Sequence, residues 1–249
     1  MTPMLPKRSP KRRFLTALLG GRVEQVPVGN VVSIACIELM QACAVYFPAA
    51  HLDAEAMARL AAAGHSVLDY DTVMPVFSVV QEVAALGCQV DWGDPSMMPG
   101  VRSNPFAGRE EFVLPIDWQD ASSIQVVLQA LRILRQELGD RVTIVGKVMG
   151  PWSLSYHMIG MQEFLISTID APERVRLSLQ TLKEVSIAFA RMQLQAGADI
   201  ICVADHATGG IVSPRAYRGY LLPLHQEITA AIGGQTVLHC CGKHHRPVA

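Results

Sequence analysis

Hydrophobic positions along the chain follow two different periods. Short apolar runs rich in β-branched residues indicate buried strands, and they lie at 26–32, 71–80, 142–150, 198–206 and 236–241. Between these runs, apolar residues recur every three or four positions, which is typical of amphipathic helices. Strands that alternate with helices in this way predict a parallel sheet covered by helices, which is an α/β fold.

The ends of the predicted helices carry the expected signals. Asp53 can cap a helix over 54–68, and Ser213 with Pro214 can open one over 213–234. Further helices are expected from Ser33 onward, over 122–139 and over 172–197, and the Gly- and Pro-rich stretch 88–116 is expected to form a hairpin or excursion.

Two architectures fit this alternation, a closed (β/α)8 barrel and an open doubly wound sheet. The first strand reads VPVGNVVS, and the glycine-rich dinucleotide fingerprint G-x-G-x-x-G does not follow it. Polar residues also follow the strands at their carboxyl ends, where barrel enzymes place their active residues. We therefore predict a TIM (β/α)8-type barrel in one domain over residues 1–249. Only about five of the eight barrel strands are recognisable, so the barrel is expected to be incomplete.

Charge and composition restrict the classes of binding partner that the sequence predicts. The formal net charge is -1, which predicts neither a nucleic acid nor a membrane surface as partner. A basic cluster at 7–13 precedes a short apolar run, which is compatible with a signal peptide, but we favour an amphipathic helix capped near Ser9. No apolar run reaches the length of a membrane span. The six cysteines include no C-x-x-C pair, and a reducing cytoplasm is the expected location.

The candidate functional residues are those at the strand ends, namely Asn30, Lys147, Asp205, His206, His239 and Cys241. In a strand alternate side chains share a face, so His239 and Cys241 point one way and Cys240 the other. Imidazole nitrogen and thiolate sulfur are donors that Zn²⁺ prefers. An H-x-C on an apolar strand also occurs as ordinary packing, and two donors do not complete a site.

For the other candidates, an ordinary structural role is the alternative to a functional one. His244 and His245 could complete a local metal site or be exposed loop residues. Asp205 and His206 could act in catalysis or form a helix-entry turn. Lys147 precedes a Gly-Pro turn that could simply start a helix, and we expect it to bind a cofactor together with Asn30.

Several segments resemble a known family. KRRFLTALLGGRVEQVPVGNV resembles the opening of the uroporphyrinogen decarboxylase superfamily. The segments GKVMGPWSLSYHMIGMQEFL, AGADIICVADHATGGIVSPRAYRGYLLPLHQ and VLHCCG resemble its methylcobamide:coenzyme M methyltransferase branch, of the methanol and methylamine type. The decarboxylases carry P-x-W-x-M-R-Q-A-G-R-Y where this chain reads VPVGNVVSIACIELM, without the arginines that would bind acidic porphyrin side chains.

The resemblance implies a zinc-dependent transfer of a methyl group from a methylcobamide, carried on a corrinoid protein, to a small thiol such as coenzyme M. It implies His239 and Cys241 as zinc ligands, with a third cysteine on a later strand. It leaves Asp205 and His206 to orient the thiol or support the metal. The chain instead continues as GKHHRPVA, without a counterpart of the third ligand, so we expect a C-terminal truncation. A decarboxylase of the same superfamily and an inactive fragment remain the alternatives.

Overall fold

The computed structural model describes residues 8–242. Its helices are α1 Pro10–Leu18, α2 Ile37–Cys43, α3 Ala49–Leu52, α4 Ala54–Ser66, α5 Gln81–Ala85, α6 Ser122–Leu138, α7 Pro151–Ile159, α8 Met161–Asp170, α9 Pro172–Ala196, α10 Pro214–Ala216 and α11 Leu222–Ile232. A π-helical turn, Tyr217–Leu221, joins α10 to α11, and Trp118–Asp120 forms a 3-10 turn. The strands are β1 Thr72–Val73, β2 Val90–Asp91, β3 Gly100–Val101, β4 Thr143–Met149, β5 Ile200–Ala204 and β6 Gln235–His239.

The main sheet has four parallel strands in the order β1-β4-β5-β6, and β2 pairs with β3 in a separate antiparallel hairpin. Met149 of β4 lies level with Ala204 of β5, which lies level with His239 of β6. The described part of the chain therefore forms an open parallel sheet rather than a closed barrel. The predicted α/β class and the incomplete barrel are confirmed.

The first predicted strands are shorter than expected. Residues 26–32 form no strand, and of 71–80 only Thr72–Val73 is one, so the sheet has four strands among residues 8–242 rather than about five. The segment 26–32 still lies beside β1, because Val28 accepts the Asp71 backbone N–H at 2.6 Å. Pro27 has no N–H to donate, and proline inside the run likewise ends β1 early at Pro75.

Helix α1 packs at the amino end of the sheet. Arg13 pairs with Asp71 at 2.5 Å, just before β1, and Lys11 pairs with Asp199 at 2.8 Å, just before β5. Ser9 caps the helix, with its hydroxyl accepting the Arg12 backbone N–H at 3.4 Å. The amphipathic helix is thus confirmed, and two of its basic side chains have structural partners. Within residues 8–242, no helix combines the length and the apolar character needed to cross a bilayer.

Helix α9 covers the outer face of the sheet. A Cβ on Gly146 of β4 would collide with Ile201 and with Gln193 of α9, so this glycine permits the close approach of the helix. The Gln193 side chain accepts from the Lys147 backbone N–H at 2.9 Å and donates to its carbonyl at 2.7 Å. The even-numbered residues of β4 therefore face the helices, and Lys147 faces the opposite, inner side.

The Asp53 cap of α4 is confirmed, and it makes a small, testable contribution. Its exposed carboxylate accepts the Ala56 backbone N–H at 2.8 Å. We expect Asp53→Ala to lower the free energy of unfolding by about 1 kcal/mol, the usual value of a single helix cap. Urea unfolding followed by circular dichroism measures this difference, with Asp53→Ser as the variant that retains the cap. Equal losses in both variants would contradict the capping role.

Candidate functional site

The carboxyl ends of β4, β5 and β6 meet at one rim of the sheet. The Gly150 backbone N–H donates to the Ala204 carbonyl at 2.8 Å, and the Asp205 N–H donates to the His239 carbonyl at 2.9 Å. Backbone hydrogen bonding between neighbouring strands therefore extends one residue past the ends of β4 and β5. The rim therefore holds Asp205, His206 and His239 in fixed relative positions, as the sequence predicted for the strand ends.

The Asp205 carboxylate is buried and accepts four hydrogen bonds. It is 1% exposed, and three of its donors belong to the first turn of α7: the Ser153 backbone N–H at 2.8 Å, the Ser153 hydroxyl at 2.8 Å and the Trp152 N–H at 3.4 Å. A carboxylate at a helix N-terminus is stabilised by the free N–H groups and the helix dipole. Gly150 is required here, because a Cβ at that position would overlap the Asp205 carboxyl group.

The fourth donor to Asp205 comes from α11. His225 Nε2 lies 2.9 Å from Asp205 Oδ2, and its Nδ1 lies 3.1 Å from the Tyr217 hydroxyl. In the tautomer in which Nε2 donates to the Asp205 carboxylate, Nδ1 of the ring can accept from the Tyr217 hydroxyl. The sequence does not reveal this chain of three residues, because Tyr217 and His225 are eight positions apart and the π-helical turn between them changes the helical phase.

His206 continues the rim on the other side of α7. Its backbone N–H donates to the Ser153 hydroxyl at 2.7 Å, and its ring meets the Tyr156 ring edge-on at 6.2 Å between centroids. The same hydroxyl thus accepts from His206 and donates to Asp205. The side chain of His206 remains half-buried at the rim, near the end of β6.

His239 and Cys241 occupy the open end of β6. His239 is the last residue of the strand and is half-buried, while Cys241 follows it and is exposed. Burial and the positive charge of Lys147 hold the pKa of His239 below its usual value, which favours the neutral imidazole that metals bind. Burial raises the pKa of the neighbouring Cys240 to about 12, so this thiol stays protonated.

The His239 imidazole and the Cys241 thiol at the end of β6 are donors of the kind that zinc binds. Two donors are too few for a complete zinc site. Among residues 8–242, no three His, Cys, Asp or Glu side chains converge on a point where a metal could be held. His244 and His245 lie outside the described residues. None of the six cysteines, all of which fall within the described range, forms a disulfide.

Lys147 and Asn30 lie at very different places. Lys147 is buried on the inner face of β4, one residue pair below the rim. Asn30 instead contacts Thr72, which is level with Thr143 at the amino end of β4. Six residues of strand separate that level from Met149, or about 20 Å. The Asn30 side chain accepts the Val32 N–H at 2.9 Å and closes its own turn, so the structure does not bring it to the rim.

A family model described as uroporphyrinogen decarboxylase (URO-D) matches residues 9–248, almost the whole chain. The chain belongs to the uroporphyrinogen decarboxylase family. Within the family it is 31% identical over 240 residues to a methylated-thiol–coenzyme M methyltransferase of Methanosarcina mazei. It is 32% identical over 235 residues to the methylcobamide:CoM methyltransferase MtaA of Methanosarcina barkeri.

The fold comparison within the family agrees. A solved methyltransferase from Methanosarcina mazei superposes with a TM-score of 0.91 at 32% identity, covering 95% of this chain. The chain spans 65% of the length of the first of these relatives, 69% of the second and 71% of the solved protein. The family and branch resemblance drawn from the sequence is confirmed over the length of this chain.

Proposed function

We propose that the chain belongs to an enzyme that moves a methyl group from a methylated corrinoid, carried on a partner protein, to coenzyme M or a similar small thiol. The observation that carries the proposal is the H-x-C pair, His239 and Cys241, at the carboxyl end of the sheet. That rim is where barrel enzymes place their chemistry. The names of the two methyltransferase relatives support the reaction class.

In the proposed reaction the thiol sulfur bonds to the methyl carbon as the cobalt–carbon bond breaks. The electron pair of that bond stays on cobalt, and the thiol proton passes to solvent. A free thiol is mostly protonated at neutral pH, so it needs activation. Zn²⁺ bound at His239 and Cys241 would supply this by lowering the pKa of the thiol.

The protein's own contribution is to place the donors. Burial holds the pKa of His239 below its usual value, which favours the neutral ring. The His239 carbonyl accepts the backbone N–H of Asp205, whose carboxylate is in turn bonded to α7 and α11. This hydrogen bond ties the backbone of His239 to the rim, which favours a defined position for its side chain. A further zinc ligand would have to come from outside residues 8–242 or from the substrate.

A decarboxylase function is less well supported by the side chains. Uroporphyrinogen carries several carboxylates, and binding it calls for several basic groups. Lys147 is the only buried Lys or Arg side chain in the described part of the chain. One buried cation fits a substrate with a single anionic group better than a porphyrin.

A direct assay separates the two reactions. Purified protein, supplied with zinc, is mixed with methylcobalamin and coenzyme M, and the loss of the methylcobalamin absorbance is followed. We expect thiol-dependent demethylation of the corrinoid and no turnover of uroporphyrinogen. Decarboxylation that continues with a chelator present, without any corrinoid demethylation, would overturn the proposal.

A further inference from the structure

The inner face of the sheet carries a buried lysine that is not ion-paired. Lys147 is 4% exposed, and its ammonium donates one hydrogen bond, to the Ser78 carbonyl at 2.8 Å. Among the described residues no carboxylate lies within ion-pair distance of it, whereas Lys11 and Lys183 are both paired. A buried charge without a partner is costly, and proteins retain one mainly where it serves a function.

Several side-chain atoms around Lys147 also lack hydrogen-bond partners, although Nε2 of Gln81 donates to the His51 carbonyl at 3.0 Å. His51, Gln81 and Glu82 are all 0% exposed. Within the described chain no partner is found for either ring nitrogen of His51, for Oε1 of Gln81 or for Oε2 of Glu82. Buried polar groups are nearly always satisfied by protein or by bound molecules. Three such residues beside one unpaired lysine therefore indicate a place that something else completes.

The charges of this cluster favour an anion. Burial raises the pKa of Glu82, whose Oε1 already accepts the Met149 N–H at 2.8 Å, and this carboxyl group forms no ion pair with Lys147 in the described chain. Burial and the charge of Lys147 lower the pKa of His51 to about 4, and the neutral ring offers one N–H donor. Burial also lowers the pKa of Lys147, and an anion bound beside it would favour its ammonium form.

Lys147 lies on the same face of the sheet as the proposed reaction centre. The sheet register places Lys147 beside Cys202 and Met149 beside Ala204 and His239. Because alternate residues share a face, Lys147 and His239 both lie on the inner face, away from α9. They are two strands apart, about 10 Å across the sheet, with His239 nearer the rim.

We propose that Lys147, assisted by His51, binds the anionic group of a short thiol whose sulfur lies at His239 and Cys241. Lys147 thereby acts as the residue that selects an anionic acceptor, a sulfonate or carboxylate thiol, over a neutral one. This inference rests on the proposed function for the position of the sulfur. The anion site itself is a property of the inner face and is measured without any methyl transfer.

The test is calorimetric binding to the complete chain. The probes are 2-mercaptoethanesulfonate, 3-mercaptopropionate and the neutral 2-mercaptoethanol. We expect the wild-type chain to bind at least one anionic thiol about 10- to 100-fold more tightly than the neutral thiol, the worth of a charged hydrogen bond. In Lys147→Met the preference should vanish, because the anionic thiols lose their advantage in affinity over 2-mercaptoethanol. Lys183→Met, which removes a lysine that is paired with Glu227, should retain the preference.

Equal binding of anionic and neutral thiols by the wild-type chain would overturn the inference, whether or not the variant folds. A preference that survives in Lys147→Met would also overturn it and would indicate that ordered water completes the cluster. Thiol-less ethanesulfonate keeps the result separate from the methyl-transfer proposal. If it binds in a Lys147-dependent manner while no methyl group is transferred, the anion site stands and the proposed function fails.

Discussion

Asp205→Ala is expected to lower the free energy of unfolding by about 3–5 kcal/mol. The substitution removes the acceptor of four hydrogen bonds and leaves the first turn of α7 and His225 without a buried partner. A buried donor that loses its acceptor costs about 1–3 kcal/mol, and here several do so together. Hydrogen bonds that converge on one carboxylate are not additive, which keeps the expected sum within this range.

Urea unfolding of Asp205→Ala and of Asp53→Ala compares the loss in free energy of unfolding at the buried Asp205 with the loss at an ordinary exposed helix cap. Both residues accept backbone N–H groups at a helix N-terminus, but Asp53 is exposed and Asp205 is buried. Asp205→Asn should fall between them, because an amide oxygen still accepts from α7 while the amide N–H₂ cannot accept from His225. Similar losses for Asp205→Ala and Asp53→Ala would show that the junction at the rim does not stabilise the fold.

The helices of this chain could be predicted closely because their signals are local. Helix α9 begins at Pro172 and ends before Gly197, whose φ of 118° is a left-handed conformation that favours glycine. The strands were predicted less well at the start of the sheet. A parallel strand depends on a neighbour distant in sequence, and Pro27 and Pro75 removed the N–H groups that a longer ladder would have used.

The site could be predicted only where its residues follow strands directly. Asp205, His206 and His239 were identified at the rim because a strand end marks it. The partners of Asp205 could not be predicted from the sequence, because Ser153 lies 52 positions away and His225 lies 20 positions away on another helix. The same holds for the ring nitrogens of His51 and for Oε2 of Glu82, which are buried without a hydrogen-bond partner in the described chain, because a sequence does not reveal such a feature.

Replacement of Cys241 is expected to have the largest effect on metal content. If His239 and Cys241 hold zinc, the wild-type chain purified with zinc should contain about one equivalent. Cys241→Ala and His239→Ala should each lose it, with a fall in affinity larger than the roughly 10- to 100-fold that the loss of an outer partner causes. Metal analysis after dialysis measures the content, and competition with a chromogenic chelator gives the affinity.

Cys240→Ala is the matched control for this prediction. Cys240 adjoins Cys241 in sequence, and we expect the alternation of β6 to continue past its last residue, His239, and to turn Cys240 to the other face. Burial keeps the Cys240 thiol protonated, with a pKa of about 12. Zinc content should therefore be unchanged in Cys240→Ala. If zinc persists in Cys241→Ala and is lost in Cys240→Ala, the assignment of faces at the end of β6 is wrong. If the wild-type chain takes up no zinc, His239 and Cys241 are too few to hold it. Corrinoid demethylation by such a metal-free chain would then have to activate the thiol through its own side chains.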